Sequence, residues 1–185
     1  MTRSPRATHG FTLTELLIVL AIAGVLAMIG APAMGNLMSR VHQDSAEASI
    51  ADSLRRARTT AVMHNNRVVV CPSRDGHRCD KGEDWQYGWL VADDGNHDGQ
   101  PDIGAQALAV IGAMPAGTRI ITSTGRGQIT FQASGSAGGS NVSFTICHVH
   151  AHDGKSVVVA NSGRVRVGKA DAAHLQTCLA GMQQP

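Results

Sequence analysis

Gly10-Phe11-Thr12-Leu13-Thr14-Glu15-Leu16-Leu17-Ile18-Val19-Leu20, continuing as AIAGVLAMIGAPAM to Met34, is the stretch that decides the fold of this chain. From Leu16 to Met34 there are 19 residues without a charge. As a helix rising about 1.5 Å per residue they reach about 28 Å, close to the hydrocarbon core of a bilayer. Arg3 and Arg6 precede the run, and no charge follows it until Arg40. That asymmetry holds the N-terminus in the cytoplasm and puts the remainder outside, in an oxidising compartment. A secretory signal peptide cut near Ala31-Pro32-Ala33 and a plain membrane anchor are two readings of the segment. Both leave Glu15 unexplained, because a carboxylate at the mouth of an apolar run is costly unless it is paired.

Gly10 to Leu16 resembles the prepilin signal of type IV pilins and type II secretion pseudopilins. The resemblance implies that residues 1–10 are a leader removed by prepilin peptidase after Gly10. Phe11 becomes the N-methylated first residue, and Glu15 pairs with the N-terminal amine of a neighbouring subunit during filament assembly. A carboxylate in lipid then has a physical reason, since its partner arrives on another copy. Pro32 fits the same pattern as a helix-bending residue. Residues 11–34 are expected to form the membrane-spanning and filament-core helix.

Outward from that segment the composition changes. Residues 35–65 are Ala-rich, and Leu37, Val41, Ala48, Leu54, Ala57 and Ala61 recur at mostly helical spacings between charges. An amphipathic helix ending at Asn65-Asn66 is expected. Its Arg55, Arg56 and Arg58 form a basic cluster that reads as a solvated face, with contact to a polyanion as the alternative. Downstream, short apolar runs alternate with Gly, Asn and Asp turns, predicting strands over 67–71, 88–92, 107–111, 119–122, 128–132, 142–148, 156–160 and 164–167. The composition of 133–141, ASGSAGGSN, predicts a flexible loop. Residues 66–185 thus read as an extracytoplasmic β-rich domain. The fold class is α+β, a long helix packed on antiparallel sheet.

Cys71, Cys79, Cys147 and Cys178 form an even set without a CxxC, which argues for disulfides over a zinc ribbon. Locality pairs Cys71 with Cys79 across a turn-rich loop and Cys147 with Cys178 near the tail, one of three possible connectivities. Asp94-x-Asn96-x-Asp98-Gly99 resembles half a calcium loop, but Ala105 stands where the bidentate Glu belongs; Asp102 could contribute a ligand, yet a surface turn without an ion is expected. Trp85 and Trp89 are expected to anchor the core. His148, His150 and His152 alternate, which on a strand gives them one face; they could hold a metal or add positive charge in acid. No nucleophile elbow or phosphate loop is present, so neither an enzyme nor a cofactor is expected.

The net charge of +2 conceals a separation. Residues 75–102 hold eight carboxylates against Arg78 and Lys81, whereas residues 115–170 hold Arg119, Arg126, Lys155, Arg164, Arg166 and Lys169 against Asp153 alone. The basic end attracts polyanions. Within Gly163-Arg164-Val165-Arg166, period two puts both arginines on one face while Val165 and Val167 face the core. Two adjacent guanidiniums suit successive phosphates.

The whole chain resembles the GspH/FimT branch of minor pilins in its leader, its Cys-loop-Cys, its Trp-x-x-Gly-Trp before an Asp-rich loop, and its late cysteine pair. Ala92 departs from that pattern, where relatives often carry an aromatic. The FimT-like members bear a Gly-Arg-x-Arg signature, matched here by Gly163, Arg164 and Arg166. The resemblance implies non-specific binding of DNA during natural transformation, with Lys169, Lys155, Arg119 and Arg126 extending the patch. It also implies other pilins as partners, and an inner-membrane location with a periplasmic domain before assembly into a surface pilus. A purely structural minor pilin, or a type II secretion pseudopilin, is the alternative.

Overall fold

The structure is a computed structural model that describes residues 12–123, 126–139 and 141–182. Side chains at 29–33 lie outside that description, and so do the leader and the Gly10-Phe11 junction. Helix α1 spans Leu13–His64. Its start is a capping box: Thr12 donates from its backbone N and from Oγ1 to Glu15 Oε2, both at 3.0 Å, and Glu15 N returns a bond to Thr12 Oγ1 at 3.3 Å. Its end is a Schellman turn. Asn65 takes a left-handed φ of 50°, Asn66 N reaches Ala61 O and Asn65 N reaches Val62 O.

The chain divides into two compact units, residues 1–37 and 38–185. In the first, Leu16, Leu17, Ile18, Val19, Leu20, Ile22, Val25 and Leu26 are all exposed, an apolar surface on every side of the helix. Such a helix is stable only in an apolar surrounding. Among the described residues no helix is long and apolar enough to cross a membrane. The span expected over 11–34 takes in residues outside that set.

The second unit holds β1 (Val68–Pro72), a 3₁₀ turn at Trp85–Tyr87, β2 (Trp89–Asp93), β3 (Ala109–Ile111), β4 (Thr118–Thr122), β5 (Ile129–Phe131), β6 (Val142–His148), β7 (Lys155–Val159), β8 (Val165–Lys169) and α2 (Ala172–Ala180). All eight predicted strands are present. They form two antiparallel sheets, ordered β3-β2-β1-β5 and β4-β6-β7-β8. One core joins them: Ala46, Ile50, Ala51, Leu54, Ala57 and Ala61 of α1 pack with Val68, Trp89 and Phe131 of the first sheet and Ile120, Phe144 and Val157 of the second. Trp85 stands edge-on to Phe144 with ring centroids 4.9 Å apart, and Trp89 Nε1 donates to Ser53 Oγ at 2.9 Å, so both tryptophans are the anchors expected of them. Ala92 is buried in a smaller cluster with Val69, Leu90, Cys71 and Cys79, on the other face of the first sheet.

The helix stripe, the loop after β5 and the facing of Val167 differ from expectation. The buried stripe of α1 runs through Ser39, Gln43, Ala46 and Ile50, whereas Leu37, Val41 and Ala48 are exposed. Gln43 is accommodated on that stripe because its Nε2 donates to the Asp153 carbonyl at 2.8 Å, a bond between residues far apart in sequence. Residues 133–139 are tied down rather than loose: Gln132 N bonds Ser136 O, Ala137 N bonds Asn161 O and Gly138 N bonds Thr130 O. Val167 is half exposed, because β8 is an edge strand and the core beneath it ends at Val165.

Both expected disulfides are present, Cys71–Cys79 and Cys147–Cys178. The second fastens α2 across β6 and β4. The Asp-rich loop directs its carboxylates at its own backbone: Asp102 accepts from Gly95 N and Asn96 N, Asp94 from Gly99 N and Asp98 from Gln100 N. Asp94 is fully buried, and Arg67 lies 3.3 Å from it. The histidines do not share a strand face, since β6 ends at His148 and the chain turns, with Ala151 N bonding His148 O. His42 of α1 instead joins His148 and His150, with ring centroids 5.5 and 5.9 Å from that of His148. Among the described residues no group of His, Cys, Asp and Glu is arranged to hold a metal ion.

Burial holds the imidazole of His148 below its ordinary pKa of 6.5, with repulsion from His42 and His150 adding to the effect and a hydrogen bond to the Ala116 backbone opposing it. Its Nδ1 accepts from His150 N at 3.3 Å, a bond that protonation would break. The unfolded chain therefore takes up a proton below about pH 6.5 that the folded chain resists, and stability falls as pH drops through that value. Denaturant titrations from pH 7.5 to 5 should show this loss, and His148→Gln should flatten it. The disulfides differ in the loops they close, 31 and 8 residues. Replacing Cys147 and Cys178 by Ser should cost about 3–4 kcal/mol of unfolding free energy, and replacing Cys71 and Cys79 about 2–3 kcal/mol.

Candidate nucleic-acid interface

The basic tail lies on the β7–β8 hairpin. Its three-residue loop Asn161-Ser162-Gly163 closes with Gly163 N on Ala160 O at 2.8 Å and Ala160 N on Arg164 O at 2.9 Å. Gly163 has φ +78°, the left-handed position such a loop requires. A Cβ there would also collide with the Gly135 carbonyl oxygen. Glycine is therefore needed twice over at this position, for conformation and for space.

Past the turn, register pairs Val165 with Val159, Arg166 with Val158 and Val167 with Val157. Val165 packs against the core, so Arg164 and Arg166 project from the opposite face, and both are exposed. Their Cα atoms are about 7 Å apart along the strand. Helix α2 covers that outer face over β6 and β4, leaving it to β7 and β8 to carry the arginines into solvent. Among the described residues no carboxylate is paired with Arg164 or Arg166.

The other expected members of the patch are distributed differently. Lys155 Nζ lies 2.6 Å from Asp44 Oδ1 and 3.9 Å from Glu47 Oε2, both on α1. The hydrogen bond to Asp44 is the main cause holding this lysine above its usual 10.5. Burial is the main cause raising the Glu47 carboxyl, opposed by Lys155 and by a bond from the Gly168 backbone. Lys155 therefore clasps the base of the hairpin to α1. Lys169 is exposed, but it shares the Val165 face and lies opposite Lys155 in register, away from the arginine face. Arg119, on β4, is three strands from β8, and its guanidinium lies against Gly181 at the end of α2. There it meets the helix's partial negative end. Arg126 lies beside the neighbouring loop: its Nη1 would lie 2.8 Å from a Cβ at Gly139, whose N bonds Asn161 Oδ1 of the hairpin turn. The structure thus keeps Arg164 and Arg166 on one face, sets Arg126 beside Gly139 of the loop that touches the hairpin turn, and separates Lys155, Lys169 and Arg119 from the arginine pair. The separation comes from strand parity and from ion pairing between residues far apart in sequence.

Two family models match the chain. The type II transport protein GspH matches residues 47–163, and the prokaryotic N-terminal methylation motif matches residues 5–31, a range that takes in Gly10, Phe11 and Glu15. No curated protein sequence matches the chain. Among solved structures it is similar to the type IV minor pilin FimU of Pseudomonas aeruginosa, with TM-score 0.57 and 20% identity over 71% of this chain and 92% of that one. It is also similar to the minor pseudopilin EpsH of the Vibrio cholerae type 2 secretion system, with TM-score 0.50 and 12% identity over 69% and 97% of the two chains. At these identities the likeness is one of fold. With the GspH model covering more than half of its residues, the chain belongs to the GspH family, and it is a minor pilin or pseudopilin.

Proposed function

We propose that the chain is a minor pilin of a type IV pilus that binds extracellular DNA non-specifically and supports its uptake in natural transformation. The observation that carries this reading is the pair of exposed guanidiniums, Arg164 and Arg166, side by side after a turn that only glycine fits. Each can donate two hydrogen bonds to a phosphate, and neither has a carboxylate partner among the described residues. The hairpin, residues 155–169, carries no aromatic side chain for stacking on bases, so the contact reads the sugar-phosphate backbone rather than sequence. Such contacts bind at micromolar strength or weaker and fade steeply with salt.

The N-terminus serves assembly in this reading. Prepilin peptidase cuts after Gly10, Phe11 is methylated, and residues 11–34 hold the subunit in the inner membrane with its domain in the periplasm. The capping bonds from Thr12 occupy Glu15 until the N-terminal amine of another pilin replaces them. The matched methylation motif supports this sequence of events. A second reading, a structural minor pilin or type II secretion pseudopilin that primes filament assembly without DNA, is favoured by the match to GspH itself.

Gel-shift titration of residues 38–185 with duplex DNA separates the two. The wild-type domain should retard DNA at low salt. Arg164→Ala with Arg166→Ala should reduce the slope of log affinity against log salt by about 1.8, since each phosphate no longer neutralised takes away about 0.9. No retardation at low salt would put the structural reading in its place. In cells, the double variant should lose transformation while pili still assemble.

A further inference from the structure

Three glycines with positive φ meet at the tip of the hairpin: Gly135 at +77°, Gly139 at +137° and Gly163 at +78°. Between them they bring the 133–139 loop, the Asn161–Gly163 turn and helix α1 into contact. The α1 residues at this junction are Val62, whose Cγ2 would lie 3.0 Å from a Cβ at Gly135, and Arg58. Arg58 Nε donates to the Gly135 carbonyl at 3.1 Å and would lie 3.0 Å from a Cβ at Gly163, one residue before Arg164. Gly135 is hemmed in by the same side chain, since a Cβ there would lie 3.3 Å from Arg58 Nε.

Arg58 is nevertheless exposed, and among the described residues no carboxylate pairs with it. This sets it apart from Arg56, which lies roughly opposite on the helix at about 100° per residue and is 3.9 Å from Asp52. A guanidinium has five N–H donors in a planar fork. With Nε committed to Gly135, the two terminal nitrogens keep four. The single Nε bond also fixes the plane of the fork, so less side-chain freedom is lost when an anion docks. The same bond holds the loop against the turn from which Arg164 begins.

We propose that Arg58 is a third phosphate-binding residue, on the α1 side of the Gly163 tip whose other side carries Arg164 and Arg166, so that the polyanion is held across the tip by α1 and the β7–β8 hairpin together. The inference rests on the reading of Arg164 and Arg166 as phosphate contacts and adds a third point from a different element. The ligand class is a phosphodiester backbone, which presents several phosphates within reach of one hairpin tip. A basic helix face that only solubilised the domain would not need a guanidinium locked onto the loop beside the arginine pair.

The full chain in neutral detergent, titrated with a random-sequence duplex by fluorescence anisotropy across a salt series, tests this. Arg58→Gln should weaken binding about fivefold and lower the salt slope by about 0.9. Arg56→Gln, which removes the same charge from the other side of the helix, should leave the slope unchanged. If Arg58→Gln matches Arg56→Gln while Arg164→Ala with Arg166→Ala still lowers the slope, Arg58 is not a contact and the arginine-pair reading stands. If the double variant also has no effect, both readings fall. Because Arg58→Gln could loosen the loop, the unaltered protein supplies the second measurement. Phenylglyoxal should modify Arg58 more slowly when duplex is bound, as it should Arg164 and Arg166, whereas the rate at Arg56 stays the same. An unchanged rate at Arg58 beside protected Arg164 and Arg166 would overturn the assignment.

Discussion

The stripe of small residues on α1 is the constraint on which the 38–185 unit depends. Ala46, Ala51, Ala57 and Ala61 are fully or almost fully buried, and with Ile50 and Leu54 they face both sheets at once. Alanine lets the strands approach the helix backbone, and the space left over is filled by Trp85, Trp89 and Phe144. Each four-stranded sheet has an apolar face that is covered by the helix and the other sheet, so neither layer buries that face without the helix. A larger side chain at Ala57 would have to part layers that share a single close-packed interior.

The position of the basic hairpin follows from the same helix. Its base is fastened by Lys155 between Asp44 and Glu47, with Glu47 also close to the Gly168 backbone. Its tip rests on the 133–139 loop, which Arg58 holds. The hairpin is thus bound to α1 at both ends, and the strand between them presents its arginines from a rigid support. A site that reads only phosphate gains most from such support, because its few contacts leave little free energy to spare for ordering loose side chains.

Much of this was legible in the sequence, and the exceptions share a cause. Strand positions, the Asn65-Asn66 helix stop and the two disulfides follow from local signals: period-two alternation, an amide side chain that tolerates a left-handed φ, and the nearness of cysteines. The shared face of Arg164 and Arg166 needed only parity. What local signals could not supply were partners distant in sequence. Ser39 and Gln43 look like surface residues until the Asp153 carbonyl is brought to Gln43. Lys155 looks like a free cation until Asp44 arrives from the first half of the chain. Helix α2 went unrecognised because its nine residues carry a weak periodic pattern, although Asp171 is an N-cap that accepts from His174 N and marks its start. The glycines of 133–139 suggested looseness, whereas Gly135 and Gly139 provide backbone conformations the docked loop requires.

The place of β8 at the margin of its sheet has a consequence for how the protein behaves among many copies of itself. An outermost strand offers a row of unpaired backbone groups on which another chain could add a strand. Here the Glu47 carboxylate lies close to the Gly168 backbone, and the strand is studded with Arg164, Arg166 and Lys169. Charges in that position repel an identical strand, and the desolvation that strand addition demands would be expensive for each of them. The same side chains that present positive charge to solvent therefore also end the sheet at four strands, which guards a subunit crowded among its own kind against uncontrolled β-stacking.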